Sequence, residues 1–166
     1  MKKKIIGIDP GTLTTGYGII TFEHPSFAAV DYGCIRPPAR LKLSERYLII
    51  FEGLDELLET HRPDVLVVET QYVDKNVQSA IKLGMARGIA IIAAKRKKLP
   101  VFECTPTRVK QAVVGSGRAS KLQVQEMVRR RLQLADLPPE DAADALALAI
   151  CHAQSSHLVH YQENEI

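Results

Sequence analysis

The sequence predicts an α/β domain in which helices cover both faces of a mixed five-stranded sheet, made of three antiparallel strands plus two parallel ones. Two patterns lead to this prediction. Up to Ile35 the chain holds three strand-like segments joined by short links, which is typical of an antiparallel meander. Beyond that point, segments with helical spacing alternate with short apolar runs, which is typical of strands connected through helices.

The meander is predicted from composition and from the turns that interrupt it. Its three strands are expected over residues 4–9, 17–22 and 27–35. A turn rich in Gly and Thr separates the first two strands, and a turn containing Pro25 separates the second from the third.

The first helix and the fourth strand come next in the chain. Apolar residues three and four positions apart predict a helix over residues 44–61, with Ser44 as its N-cap and Pro63 beyond its end. The Val- and Leu-rich run at 64–70 predicts a strand that is buried on both faces and ends at Glu69. We expect this strand to lie beside the first one at the centre of the sheet.

The remaining elements are mostly helical. Their predicted bounds are residues 76–97 (helix), 99–105 (strand), 106–114 (helix), 120–134 (helix) and 140–154 (helix). Thr105 and Pro106 suit the N-cap and the first position of a helix, and Gly115 suits its end. A chain of 166 residues is long enough for one well-buried core, so residues 1–155 are expected to form a single domain, and residues 156–166 a polar, frayed tail.

The long helix at 76–97 carries a stripe without large side chains. Ala80, Gly84 and Gly88 lie four positions apart on one face. Because each glycine costs a helix roughly 1 kcal/mol relative to alanine, something is expected to pack closely against this stripe. The partner is either the sheet of the same chain or the same helix of a second subunit.

Four acidic residues mark a candidate site. Asp9 and Glu69 end the first and fourth strands, and both are expected to face a cleft because an acid is costly in the core. Asp141 and Asp144 lie three positions apart, so they point the same way from the start of the last helix. The helix dipole favours acids near an N-terminus and is an alternative explanation for this second pair.

Convergence of these acids would predict a metal site. Carboxylates that are brought together raise one another's pKa, so such a cluster persists chiefly by holding cations. Ligation by oxygen alone indicates Mg²⁺ or Mn²⁺ rather than zinc. Two such ions about 4 Å apart can promote hydrolysis of a phosphodiester.

Charge is distributed unevenly along the chain. Residues 95–131 hold eleven Lys and Arg against two Glu, a net charge of +9, while the rest of the chain holds eleven basic and seventeen acidic residues, a net charge of −6. A basic third beside an acidic remainder is typical of a nucleic-acid-binding protein with a metal site. The alternative is an ordinary solvated helix surface.

Composition favours a protein of the cytoplasm that does not enter a membrane. We expect no membrane span, because no apolar run is judged to approach the ~18–20 residues that a span needs. The N-terminus does not have the pattern of a signal peptide. Cys34, Cys104 and Cys151 are odd in number and widely spaced, which indicates a reducing compartment and argues against disulfides or a zinc site.

Several segments together resemble one known family. They are IIGIDPGTLTTGYGII, VVETQYV, NVQSAIKLGMAR, VKQAVVGSGRASKLQVQEMV and DAADALALAICH. These segments resemble the RuvC family of Holliday-junction resolvases, in register from about residue 5 to residue 155. The resemblance implies an RNase H-like fold, a homodimer, and Mg²⁺-dependent cleavage of two opposed strands of a four-way DNA junction during recombination and repair.

The resemblance also assigns roles to individual residues. Asp9, Glu69, Asp141 and Asp144 match the four catalytic, metal-binding acids of the family. Tyr72 matches an aromatic residue that stacks on bases near the crossover. Lys110 and Lys121 match lysines that contact phosphates, and Arg118 lies in the same loop as the second of them. The helix that carries Gly84 and Gly88 matches the dimer interface, and a RuvA–RuvB type branch-migration complex is an implied further partner.

Three other functions compete with this one. A junction-binding protein without catalysis is disfavoured, because loss of the four acids would relieve repulsion at no structural cost. An RNase H-like nuclease acting on other nucleic acids is disfavoured by the Tyr72 loop and the glycine-lined helix. The segment GIDPGTLTTG also resembles the phosphate loop of actin-like ATPases, but those proteins need two such domains and 166 residues leave no room for them.

Overall fold

The computed structural model describes residues 1–70, 76–156 and 165–166. These residues form five strands and five helices. The strands are β1 (Lys3–Asp9), β2 (Thr15–Glu23), β3 (Ser26–Ile35), β4 (Val65–Glu69) and β5 (Val101–Cys104). The helices are α1 (Leu43–His61), α2 (Val77–Arg96), α3 (Pro106–Val114), α4 (Lys121–Arg131) and α5 (Glu140–Ser155).

The strands form one mixed sheet in the order β3-β2-β1-β4-β5. Strands β1, β2 and β3 are antiparallel neighbours, whereas β4 runs parallel to both β1 and β5. The predicted sheet type is therefore confirmed, as is the central position of β1 and β4 side by side.

Side chains alternate between two cores, one on each face of the sheet. Ile6, Ile8 and Val68 point to the core formed with α1 and α2. Ile5 and Val67 point to the core formed with α3, α4 and α5. Because the period of a strand is two residues, Asp9 and Glu69 fall on the second face, together with α5.

Helix α5 lies unusually close to the sheet because three glycines of β1 and β2 leave room for it. A Cβ atom at Gly7 would lie 1.9 Å from the backbone oxygen of Ala145, and one at Gly16 would lie 2.0 Å from that of Asp141. Gly18 makes a similarly close approach to Leu146. Since Asp9 pairs with Gly16 across the β1–β2 ladder, this contact brings the start of α5 next to the end of β1.

Some predicted helix ends are confirmed and others shift. Thr105 Oγ1 accepts a hydrogen bond from the Arg108 N–H at 3.3 Å, and Gly115 ends α3 with φ of 87°. Ser44 is not an N-cap, because α1 already begins at Leu43 and Glu45 caps it by accepting the Lys42 N–H at 2.8 Å.

Helix α4 is shorter than predicted. It ends at Arg131, because the chain turns at Leu132 and residue Gln133 has a left-handed backbone with φ of 53°. Apolar spacing extends through this turn, so periodicity alone placed the end of the helix too late.

The end of the chain is attached to the outer edge of the sheet. Glu165 pairs with Phe102 as an antiparallel bridge, and the Ile166 N–H donates to the Val101 oxygen at 3.0 Å. The expected frayed tail is therefore docked at its last two residues.

Helix α2 turns its glycines outward. Its buried residues are small, Ala86, Ala90, Ala93 and Ala94, and the last three belong to the core on this face of the sheet. Gly84 is exposed, and a Cβ atom at Gly88 would meet nothing within 4 Å. The explanation in which this stripe packs on the sheet of the same chain is therefore wrong.

By length and composition, α2 is also the one helix in the described part of the chain that could cross a membrane, with a mean hydropathy of 1.3. This corrects the expectation that no apolar run approaches that length. Only 22% of the stretch is buried within the chain, so most of its residues are partly or fully exposed.

Candidate active site

A cleft of about 260 Å³ opens where β1 and β4 end, beneath α3, α4 and α5. It contains three of the four predicted catalytic acids and both predicted DNA-binding lysines. The residues lining it are Asp9, Glu69, Pro106, Val109, Lys110, Lys121, Val124, Asp144 and Leu148.

The parallel pairing of β1 and β4 sets the positions of Asp9 and Glu69. Ile8 is in register with Val68, so the next residue of each strand lies at the same level. Both acids follow residues that point to the α1–α2 core, and so both point to the opposite face, where the cleft lies.

Helix α5 supplies the other two acids from its first turns. Asp144 lines the cleft, whereas Asp141 lies at its edge, where the helix backbone meets Gly16. The Asp141 charge nevertheless acts on Asp9 and contributes to the raised pKa of that carboxyl group. The structure thus groups Asp9, Glu69 and Asp144 directly and places Asp141 beside them.

Burial and mutual repulsion both disfavour the ionised forms of these acids. Burial, followed by the charges of Asp144, Glu69 and Asp141, raises the pKa of Asp9 to about 8. Burial also raises the pKa of Asp144 to about 6, although the Lys121 ammonium opposes this rise. The pKa of Glu69 is raised by burial and by Asp144. A bound cation would remove this electrostatic penalty.

The donor chemistry of the cleft fits a hard divalent cation. In the described residues, no three His, Cys, Asp or Glu side chains are arranged closely enough to hold a metal ion as they stand. Asp9, Glu69 and Asp144 nevertheless line one cleft and offer only carboxylate oxygens, which are ligands that Mg²⁺ prefers. The Lys121 ammonium supplies part of the missing positive charge, 3.9 Å from the Asp144 carboxylate.

The predicted DNA-binding residues occupy different places. Lys110 and Lys121 line the cleft, and Lys121 Nζ also lies 2.5 Å from the Glu140 carboxylate, which raises the Lys121 pKa. Arg118 is exposed in the loop between α3 and α4, outside the cleft lining. Tyr72 lies outside the described residues.

Part of the basic third has a structural use. Lys97 Nζ lies 2.7 Å from the Glu59 carboxylate and 3.5 Å from that of Asp55, so it joins the end of α2 to α1. This residue therefore joins two helices through ion pairs, while Lys110 and Lys121 line the cleft with the acids.

Sequence reasoning missed two features of the site. Glu140, which holds Lys121, is adjacent to Asp141 in the chain and could have been noticed there. The close approach of α5 had a signal as well, since glycines in the interior of buried strands often mark a place where another backbone comes near.

Comparison with known proteins identifies the family. The family model described as "Crossover junction endodeoxyribonuclease RuvC" matches residues 5–152. The chain is similar to the protein of that name from Protochlamydia amoebophila, with 62% identity over 90% of each chain. It is also similar to the one from Chlamydia abortus, with 52% identity over 92% of this chain and 94% of the other.

A solved structure has the same fold. The chain is similar to Thermus thermophilus RuvC in complex with a Holliday junction substrate, with a TM-score of 0.91, 31% identity and coverage of 99% of each chain. The expected RNase H-like fold is confirmed by this similarity and by the mixed sheet described above. From its sequence and its fold alike, this chain belongs to the RuvC family of crossover junction endodeoxyribonucleases.

Proposed function

We propose that this chain is a structure-specific endonuclease that resolves four-way DNA junctions by paired, symmetric hydrolysis of phosphodiester bonds. The observation that carries the proposal is the cleft in which Asp9, Glu69 and Asp144 lie beside Lys110 and Lys121. Cations held by acids can promote phosphodiester hydrolysis, and lysines bind the phosphates of DNA. The junction as substrate is supported by the similar Thermus protein, which is described in complex with one.

The proposed cofactor is a pair of Mg²⁺ ions, for which Mn²⁺ can substitute. RuvC nucleases are metal-dependent. Asp9, Glu69, Asp141 and Asp144 would hold the ions, which when bound stabilise negative charge that develops on the phosphate oxygens. The chain itself orients the four carboxylates, and Lys110 and Lys121 contact the DNA backbone close to the bond that is cut.

Tyr72 and Arg118 extend the proposed DNA contact beyond the cleft. Tyr72 follows Glu69 by three residues in the sequence, and its proposed role is to stack its aromatic ring on a base, which is worth ~1–3 kcal/mol. Arg118 is exposed in the loop that precedes Lys121 and is available to a phosphate.

The proposed assembly is a homodimer formed through α2. An apolar groove of about 480 Å³ runs between α1 and α2, with Met85, Gly88 and Ile92 on its α2 side. Ile81, Met85 and Ile92 are each more than half exposed, which is unusual for apolar residues grouped on one helix face. A two-fold dimer presents two clefts, as two symmetric cuts require.

Two further features of the proposal concern the cell. RuvC nucleases act on DNA, and we place this chain in the cytoplasm. Its three cysteines form no disulfide, which is compatible with a reducing compartment. A RuvA–RuvB type branch-migration complex is the proposed further partner.

A cleavage assay with three substrates tests the proposed function. A four-way junction, a linear duplex and an RNA–DNA hybrid are each incubated with the protein and Mg²⁺. We expect cleavage of the junction at symmetric positions and little cleavage of the other two. Comparable cleavage of hybrid or duplex would instead support a general RNase H-like nuclease.

Substitution of the acids tests the catalytic assignment. Asp9→Asn, Glu69→Gln and Asp144→Asn are expected to abolish cleavage while junction binding in a gel-shift assay stays close to that of the unmodified protein. A protein that binds junctions but never cuts them, with or without these substitutions, would support the non-catalytic alternative. Activity that persists in EDTA would refute the role of the metal.

A further inference from the structure

Arg87, in the middle of α2, contacts the end of the strand that carries Glu69. Its Nε donates a hydrogen bond to the backbone oxygen of Glu69 at 3.2 Å. A second nitrogen of the same guanidinium, Nη2, lies 2.5 Å from the carboxylate of Glu103 on β5. The side chains of Arg87 and Glu103 are only 20% and 24% exposed, so this ion pair is partly shielded from water.

The register of β4 and β5 explains how Arg87 reaches both partners. Val68 pairs with Glu103, and both side chains point to the α2 face of the sheet. Glu69 pairs with Cys104, and both side chains point to the opposite face. Arg87 therefore holds the Glu69 backbone from behind, while the Glu69 carboxylate faces the cleft.

We propose that Arg87 is a positioning residue for cleavage. Its guanidinium group fixes the last carbonyl group of β4 and is itself anchored by Glu103, and in this way it orients the Glu69 carboxylate. This inference rests on the proposed nuclease function. It also assigns α2 two roles on opposite sides, because the helix face away from Arg87 carries the groove proposed for the second subunit.

An arginine suits this position better than a lysine. The guanidinium group offers several donors in one rigid plane, so it can bind a carbonyl oxygen and a carboxylate at fixed angles at the same time. A lysine keeps the positive charge but has a single, freely rotating donor group. The consequence for catalysis is large, because a misplacement of about 1 Å in an active site can cost about 100-fold in rate.

The alternative is that Arg87 and Glu103 only fasten α2 to the sheet. In that case, loss of the pair would lower stability without a specific effect on the reaction. The pair formed by Lys97 with Glu59 and Asp55 offers a matched control. It also joins α2 to a neighbouring element, and none of its members lines the cleft.

The experiment compares Arg87→Lys, Arg87→Gln and Glu103→Gln with Lys97→Gln. Single-turnover cleavage is measured at saturating junction, and junction affinity and sedimentation are measured in parallel. We expect Arg87→Lys and Arg87→Gln to cut bound junction about 10- to 100-fold more slowly, with affinity and dimerisation unchanged. Glu103→Gln should slow cutting about threefold or more, but less than the Arg87 substitutions do. Arg87 would keep its hydrogen bond to the Glu69 carbonyl and lose only its ion pair with Glu103. Lys97→Gln should lose stability and keep its cutting rate.

A second readout does not depend on DNA. The melting temperature of the free protein is followed as Mg²⁺ is added, and the Mg²⁺ concentration at half-maximal stabilisation is recorded. A displaced Glu69 should raise that concentration about threefold or more in Arg87→Lys, but not in Lys97→Gln.

Two results would overturn the inference. One is an Arg87→Lys protein with the cutting rate and the Mg²⁺ midpoint of the unmodified protein. The other is an equal loss in Lys97→Gln, which would show a general effect of stability. If the unmodified protein cuts no junction, the proposed function fails, while the Mg²⁺ midpoint still decides whether Arg87 orients Glu69. If the Arg87 variants do not fold, Glu103→Gln decides it by the same two measurements.

Discussion

At the scale of single residues, Asp9 carries the largest electrostatic cost in the cleft. Burial and three neighbouring carboxylates raise its pKa from 3.8 to about 8. The metal-free folded protein therefore holds a proton at Asp9 that the unfolded chain releases near pH 4. Binding of this proton raises the free energy of unfolding. This contribution is fully present below pH 3.8 and is lost as the pH rises through about 8.

Asp9→Asn should reduce this dependence of stability on pH. In EDTA, we expect the free energy of unfolding of the unmodified protein to fall by a few kcal/mol, an order-of-magnitude figure, between pH 5 and pH 8.5. Asp9→Asn should show a smaller fall and be the more stable of the two at the higher pH. Urea unfolding at a series of pH values measures both curves, and parallel curves would contradict the assignment.

Lys121 is the residue whose change should be visible in the salt dependence of binding. Its ammonium group lies in the cleft between Glu140 and Asp144, its side chain is 66% exposed, and its proposed role is to contact a phosphate. Lys121→Ala should weaken junction binding and reduce the slope of log K against log salt by about 0.9, the value for one lost phosphate contact. Lys2→Ala is a suitable control, because Lys2 precedes β1 at the end of the strand remote from Asp9. An unchanged slope for Lys121→Ala would remove this residue from the DNA contacts.

At the scale of elements, the contact of α5 with β1 and β2 decides whether the acids meet. Gly7→Ala would place a methyl group 1.9 Å from the Ala145 oxygen, a distance that no rotamer can relieve. We expect this change to push α5 away from the sheet, with a stability loss of at least about 1–3 kcal/mol and a loss of cleavage.

A second glycine provides the contrast for Gly7. Gly88→Ala meets no atom within 4 Å, and alanine is a better helix former by roughly 1 kcal/mol. The free energy of unfolding of the Gly88→Ala monomer should therefore be unchanged or higher. Thermal unfolding of the two variants tests the difference, and an unaffected Gly7→Ala protein would show that the close contact is not needed.

At the scale of the whole molecule, the apolar groove between α1 and α2 predicts the oligomeric state. Ile92 is 58% exposed and lies in this groove. Ile92→Glu keeps a good helix former but places a charge where a second subunit would pack, so it should dissociate the dimer. Sedimentation equilibrium at micromolar concentration should show a dimer for the unmodified protein and a monomer for this variant.

A control for the dimer uses an exposed apolar residue elsewhere. Val30, on the outer strand β3, is 43% exposed and does not line the groove. Val30→Glu should leave the protein dimeric. A monomeric unmodified protein would end the proposal that this groove joins two subunits.

Much of the fold could be predicted from local patterns. The strand that ends at Glu69 and the helix opened by Thr105 and Pro106 were predictable because apolar alternation and capping residues act within a few positions. The predictions that erred also have local causes. Apolar spacing continues past Arg131 although the backbone turns there, and Glu45 caps α1 in place of Ser44.

By itself, the sequence determined where the strands and helices form and which acids stand at their ends, because these features depend on neighbouring residues. Only the tertiary structure decided that Asp144 lines the cleft while Asp141 stands at its edge, and that Gly88 faces outward. It alone brought Arg87 to the carbonyl of Glu69, 18 positions away in the chain. These outcomes depend on the register of strands and the approach of helices that are distant in sequence, and hence on packing that no local pattern encodes.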